Sequence, residues 1–297
     1  MGALRLAHVF TTDWDYLLHS VHGAGTRLRL LGVGMRLFVK SSLAFWRSGP
    51  VEERFLGFRV TAFDARILKF LFREIFIHGD YGFTAAREDP LILDCGANIG
   101  MATLYFLWRY PKAEVHAFEP DPGTFALLKR NVETNGLTRT CARQLAAAGY
   151  SGRISLFRDE SDPGYPAMST VQGRMPKDAT MVECVALSEY LDQHLPGRGV
   201  DLLKLDIEGA EESVIRELAA SGALARVREI IVEYHHHIGD DRSKLASFLG
   251  ILEDAGFCYQ LQAAAVPLNT KDRFQDVLLY CYRRDDSSPA RDTVHEP

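Results

Sequence analysis

The chain reads as an α/β protein built on a mostly parallel sheet with helices on its faces. Three observations predict this. From Leu91 onward, short apolar runs suited to buried strands alternate with amphipathic helical segments. A turn bracketed by Gly96 and Gly100 joins the first of these strands to its helix. A chain of 297 residues that is 47% hydrophobic and 25% charged also has the apolar content for a sizeable core.

Residues 1–54 form a helical amino-terminal extension. Leu28, Leu31, Met35, Phe38 and Ser42 fall on one helical face, with Arg29, Arg36, Lys40 and Arg47 mostly elsewhere. This extension is expected to pack on the main domain or on a second subunit. The alternative is a basic interfacial helix that meets a membrane surface or a lipid-linked acceptor.

The main domain is expected over residues 55–283. A strand at Phe55–Ala62 leads into a helix over Asp64–His78, with Asp64 as N-cap and Gly79 as stop. Strand Leu91–Asp94 precedes helix Met101–Tyr110, and strand Glu114–Glu119 precedes helix Thr124–Asn135. Strands follow at Arg143–Ala148 and Arg153–Arg158. Residues 159–181 are rich in Gly and Pro and read either as a substrate lid or as a plain surface loop. Strand Asp201–Asp206, helix Ala210–Ala220, strand Arg228–Tyr234 and helix Ser243–Ala255 come next. Phe257–Ala263 and Asp276–Arg283 close the sheet, and residues 284–297 form a polar tail expected to be mobile.

Charge and cysteines narrow the function. The net charge is −5, which argues against nucleic acid as a general partner. It is unevenly spread: residues 1–50 hold six basic and two acidic side chains, leaving −9 for the rest. The five cysteines are scattered without a C-x-x-C pair, so neither a zinc knuckle nor a disulfide framework is indicated. The amino terminus makes a poor signal peptide, because His8 and then polar residues interrupt its apolar stretch. A reducing, cytoplasmic compartment is expected.

The strongest local signal is Leu91-Ile-Leu-Asp-Cys-Gly-Ala-Asn-Ile-Gly100. Gly96 and Gly100 let the backbone turn tightly and approach a ligand that a Cβ would exclude, and Asn98 lies between them. The spacing D-x-G-x-x-x-G differs from the G-x-G-x-x-G that cradles a pyrophosphate. A carboxylate at Asp94 suits a ligand carrying a cationic amino group and a sulfonium, such as S-adenosylmethionine. Glu119, at the end of the next strand, can accept from both hydroxyls of a ribose. NAD enzymes use that same device, so an NAD-dependent oxidoreductase is the rival reading, and a non-catalytic cofactor-binding module is a second.

Three segments carry a resemblance: Ile92–Gly100, Phe118-Glu-Pro-Asp121 and Leu203-Lys-Leu-Asp-Ile-Glu-Gly-Ala-Glu211. Together, with Phe72–Phe83 upstream, they resemble the FkbM family of S-adenosylmethionine-dependent methyltransferases, over roughly residues 55–283. The resemblance implies a doubly wound, seven-stranded, mostly parallel sheet of the Rossmann-like class I methyltransferase kind, with a reversed last strand. It also implies O-methylation of a small-molecule or glycan hydroxyl.

Alkylating an alcohol requires a positioned nucleophile and removal of its proton. Lys204 and Asp206 lie two apart at a strand end and share a face. Asp206 is the favoured acid there, Glu208 follows it, and Glu211 reads as favourable charge in a helix's first turn. Glu233, His235 and His237 alternate on the next strand, and a histidine with a pKa near 6.5 would suit as base. The catalytic candidates are therefore Asp206, His235, Glu233 and Lys204. The cofactor candidates are Asp94, Gly96, Asn98, Gly100 and Glu119. A metal held by the histidines with Asp206 or Glu208 is the weaker alternative, and no metal is expected.

Overall fold

The computed structural model describes residues 13–18, 23–43, 49–158, 178–236, 244–263 and 275–284. The carboxy-terminal tail beyond Arg284, most of the 159–181 segment, and His237 lie outside the described residues.

After a helical turn at residues 13–18, helix α1 spans Ala24–Leu43. A hairpin of β1 (Val51–Phe55) and β2 (Phe58–Ala62) follows, so position 54 lies inside its first strand. Helix α2 (Ala65–Phe72) begins where Asp64 accepts the backbone N–H groups of Arg66 and Ile67, and it runs on as a π-turn over Arg73–His78. The predicted cap and the predicted stop at Gly79 are both present.

The αβ units continue through β3 (Leu91–Cys95), α3 (Met101–Arg109), β4 (Glu114–Phe118), α4 (Pro122–Thr134) and β5 (Thr140–Arg143). Then come β6 (Ala146–Ala148), β7 (Gly152–Arg158), β8 (Asp178–Ala186), α5 (Leu187–His194), β9 (Val200–Leu205) and α6 (Glu211–Ala220). The chain closes with β10 (Val227–His236), α7 (Leu245–Asp254), β11 (Phe257–Ala263) and β12 (Gln275–Arg283).

Seven strands form one sheet in the order β11-β12-β10-β9-β3-β4-β5. Neighbours from β10 to β5 are parallel, and β12 inserts antiparallel between β10 and β11. This is the doubly wound sheet with a reversed last strand that the sequence led us to expect. Its switch point lies between β9 and β3, where the chain reverses the direction in which it adds strands, and open α/β sheets place ligands at such a crevice. The sheet separates two hydrophobic cores. One holds α1, α2, α3 and the π-turn around Phe72, Phe76 and Tyr105; the other holds α5, α6 and α7 around Tyr190, Val214 and Phe248.

Two expectations need correcting. The single strand over Arg143–Ala148 is two: β5 stays in the main sheet, while β6 pairs with β8 in a separate three-stranded sheet. The small side chains of Ala146–Ala148 let β6 pack fully buried in that position. The second correction concerns α1. Its buried residues are Leu30, Val33, Leu37 and Ser41, whereas Leu28 is 63% exposed and Met35 37%. The helix is apolar on two sides, and the side that meets α2 and the π-turn is turned by roughly 130° from the predicted one, with Leu31 at the edge between them. Among the described residues, no helix is long and apolar enough to cross a membrane.

Candidate active site

The β3–α3 loop closes tightly because of Gly96. Its φ is 77°, and a Cβ there would lie 1.7 Å from the carbonyl oxygen of Asp206. The N–H groups of Gly96 and Ala97 both donate to the carbonyl of Phe118, at 3.0 and 2.9 Å. Three strand ends are thereby drawn together. Asn98, with φ 50°, accepts the N–H of Ile99 through its side chain at 2.7 Å. Gly100, at φ 92°, starts α3 where a Cβ would crowd Leu128.

Glu119 follows β4 and is buried. One carboxylate oxygen accepts the N–H of Asn98 at 3.0 Å, and the other accepts that of Asp121 at 2.9 Å. Burial pushes its pKa up to about 8, with a smaller push from Asp121. Glu119 lines an open cleft of about 640 Å³ together with Gly96, Asn98, Ala147, Asp206 and Glu208.

Asp94 and Lys204 are absent from that lining. Asp94 is fully buried; it accepts the Thr103 hydroxyl at 2.6 Å and lies 3.3 Å from the Lys204 ammonium. The two residues are register partners across β3 and β9, which is why they meet. Lys204, 1% exposed, donates to the Gly96 carbonyl at 2.7 Å and sits 3.4 Å from Asp206. Burial works against its charge, but Asp206, Asp94 and Glu233 outweigh burial and raise its pKa. The sequence set Asp94 against the cofactor's cation and Lys204 among the catalytic candidates; here the two side chains are buried against each other and neither lines this cleft. Each neutralises the other beneath the floor of the cleft.

Asp206 does reach the cleft, with its side chain 23% exposed. Its N–H donates to the Cys95 carbonyl, which extends the ladder one residue past β9. The hydroxyl of Tyr81 donates to Asp206 Oδ2 at 2.9 Å, and the Tyr81 oxygen lies 3.3 Å from Glu233 Oε2. Burial and the neighbouring Asp206 charge raise the pKa of Glu233 well above its ordinary value.

His235 is not the free imidazole that the sequence suggested. It is 5% exposed, with Nδ1 2.8 Å from Glu211 and Nε2 3.0 Å from Glu208. Burial alone would lower its pKa, but those two carboxylates outweigh it and raise the pKa well above 6.5. The two carboxylates thus favour the protonated ring, which works against a role as base.

Glu211 accepts the N–H of Gly209 at 2.9 Å and that of Ile207 at 3.3 Å as well as holding His235. Its first-turn position is as expected, but its part in shaping the loop was missed. Glu208, at φ 58°, occupies a backbone region that non-glycine residues rarely adopt. Ligand atoms of Asp206, Glu208 and His235 lie within 4.8 Å of one another, as do those of Glu233, His235 and Asp276.

Tyr81 was also missed. It belongs to the loop after the π-turn and comes to the site only because α2 packs across the sheet. Its place in the Phe72–Phe83 segment was the only signal.

Comparison with known sequences decides the family: residues 94–259 match the model of the methyltransferase FkbM domain. The chain belongs to the FkbM methyltransferase family. Methyltransferase 1 of Beauveria bassiana is 29% identical over 214 residues, 66% of this chain and 83% of that protein. The 31-O-demethyl-FK506 methyltransferase FkbM of Streptomyces tacrolimicus is 27% identical over 235 residues, 68% and 86% of the two chains. The 2-O-methyltransferase NoeI of Sinorhizobium fredii is 31% identical over 168 residues, 50% and 64%. This FkbM-family chain is an S-adenosylmethionine-dependent methyltransferase. The cleft fits that cofactor: Glu119 offers carboxylate oxygens for a ribose, Glu208 offers negative charge for a cation, and Leu145 and Leu156 add apolar wall.

Proposed function

We propose that the enzyme methylates a hydroxyl oxygen of a carbohydrate or secondary-metabolite acceptor, with Asp206 as the general base. One observation carries this reading. Asp206 is the carboxylate that lines the cleft while being held from behind by both Tyr81 and Lys204. The names of the Streptomyces and Sinorhizobium relatives describe O-methylation, which supports oxygen as the target.

In this scheme Glu119 and the backbone of Gly96 and Asn98 hold the adenosyl part of the cofactor. When bound, S-adenosylmethionine supplies an electrophilic methyl group and a neutral sulfide leaving group. Asp206 accepts the proton of the acceptor hydroxyl as the oxygen is alkylated, a contribution of about a hundredfold to ten-thousandfold in rate. Tyr81 donates to Asp206, with Glu233 on the other side of its hydroxyl, fixing the carboxylate toward the acceptor. His235 holds Glu208 and Glu211 in place. Lys204 and Asp94 lock the Gly96 loop from below.

The test combines calorimetry with S-adenosylhomocysteine and turnover on a panel of hydroxylated acceptors. Asp206→Asn should bind the product normally and lose about two or more orders of magnitude in kcat. Glu119→Ala should lose cofactor affinity first. Normal turnover by Asp206→Asn would remove it from the role of base. Tight binding of NAD in place of S-adenosylhomocysteine would overturn the cofactor assignment.

A further inference from the structure

The outward face of α1 is unlike the rest of the surface. From Tyr16 to Val51 the sequence contains no Asp or Glu, although the whole chain holds 39 of them and carries a net charge of −5. Arg27, Arg29, Arg36 and Lys40 all lie on α1. On the side away from the core, Leu28, Met35 and Val39 are 63%, 37% and 47% exposed. At 100° per residue these three fall within a narrow stripe, and Arg29, Arg36 and Lys40 follow each of them by one position along its flank. Of the ten large hydrophobic residues exposed among the described residues, six lie between Trp14 and Val39. Such concentration marks a surface that is normally covered.

We infer that this face docks on an anionic membrane surface. The charge decides the kind of partner. A second copy of the chain would set one mainly basic face, in which Glu53 pairs with Arg36 and Lys40, against another, which like-charge repulsion disfavours. A nucleic acid would use the arginines but leave the Leu28–Met35–Val39 stripe in water. A bilayer with anionic headgroups satisfies both features, with the apolar stripe entering the headgroup boundary and Arg29 meeting phosphates beside the Glu53-paired Arg36 and Lys40. The opposite face of α1 is fixed by Leu30, Val33 and Leu37, so docking needs no unfolding of the helix. Because α1 packs on α2 and the π-turn, whose following loop carries Tyr81 to Asp206, such docking would hold the enzyme at the bilayer through the layer that also reaches the site.

The full chain is sedimented with vesicles of phosphatidylcholine alone, and with vesicles of roughly seven parts phosphatidylcholine to three parts phosphatidylglycerol. Binding is expected only to the second, and to weaken steeply with added salt. Arg29→Glu should reduce the partition coefficient about tenfold, and Leu28→Ser with Val39→Ser by at least as much. Both variants should keep the thermal midpoint and S-adenosylhomocysteine affinity of the wild type, which separates lost docking from lost folding. Equal binding to neutral vesicles, no binding to either, or unchanged binding by the variants would overturn the proposal. So would a dimer in solution that the Leu28→Ser, Val39→Ser variant breaks, or binding of single-stranded RNA that Arg29→Glu abolishes while vesicles are ignored.

Discussion

The hydroxyl of Tyr81 lies 2.9 Å from Oδ2 of Asp206, joining residues 125 positions apart in the chain. It also sits 3.3 Å from Glu233 and below its ring has the Lys204 ammonium, 4.8 Å from the centroid. Tyr81 thus ties the α2 side of the sheet to the end of β9, and its one hydroxyl stands between two carboxyl groups. Tyr81→Phe keeps the ring and removes only that link. A hydrogen bond to a charged group contributes about 1.5–3 kcal/mol, so kcat should fall roughly ten- to a hundredfold. Cofactor affinity should not move. Steady-state kinetics beside calorimetry reads both, and an unchanged kcat would show that Asp206 needs no such anchor.

Gly96 is the position least able to accept a side chain. Its φ of 77° strains any other residue, and the Cβ of an alanine would lie 1.7 Å from the Asp206 carbonyl oxygen. The clash is with backbone, so relief requires β3 and β9 to separate at their ends. Gly96→Ala should cost about 3 kcal/mol or more and disrupt cofactor binding. Thermal unfolding and S-adenosylhomocysteine titration check the two effects together.

Glu119 makes cofactor binding depend on pH. Burial first, then Asp121, raises the unliganded carboxyl to about 8, so at neutral pH it is mostly protonated. Accepting from two ribose hydroxyls favours the ionised form. Binding below that pKa therefore releases a proton, and affinity should rise with pH until it levels off above it. From about pH 6.5 to 8.5 the gain is at most about 25-fold. Calorimetry in buffers of differing ionisation enthalpy would detect the released proton, and Glu119→Gln should remove the pH dependence.

His78 couples the amino-terminal turn to the domain. Asp13 accepts from Arg73 at 2.6 Å and lies 3.4 Å from His78, whose ring stacks on Tyr16. Burial acts against the His78 charge, but Asp13 and Glu74 outweigh it and raise the pKa to about 9. With the folded value above the unfolded one near 6.5, the stabilisation is complete below about pH 6.5 and is lost as pH rises through about 9. The loss is of order 2–3 kcal/mol. Thermal midpoints across that window should fall for the wild type and stay flatter for His78→Gln.

The sequence alone determined the class of sheet, its reversed last strand through the family likeness, and the paired signals Gly96 and Glu119. These are local or near-local: strand periodicity, a turn that only glycine accommodates, and a carboxylate at a strand end. The Asp64 cap and the Gly79 stop were legible for the same reason. What the tertiary structure decided is where charges meet. Asp94 and Lys204 cancel because β3 and β9 are register neighbours, which no spacing along the chain reveals. His235 is clasped between two carboxylates because α6 brings Glu211, and the loop before it Glu208, to within 3.0 Å. Tyr81 and the outward stripe on α1 likewise depend on packing across the sheet, since a helix apolar on two sides does not announce which side is buried. Local chemistry made the cofactor loop readable, and long-range contact chose which acid faces the acceptor.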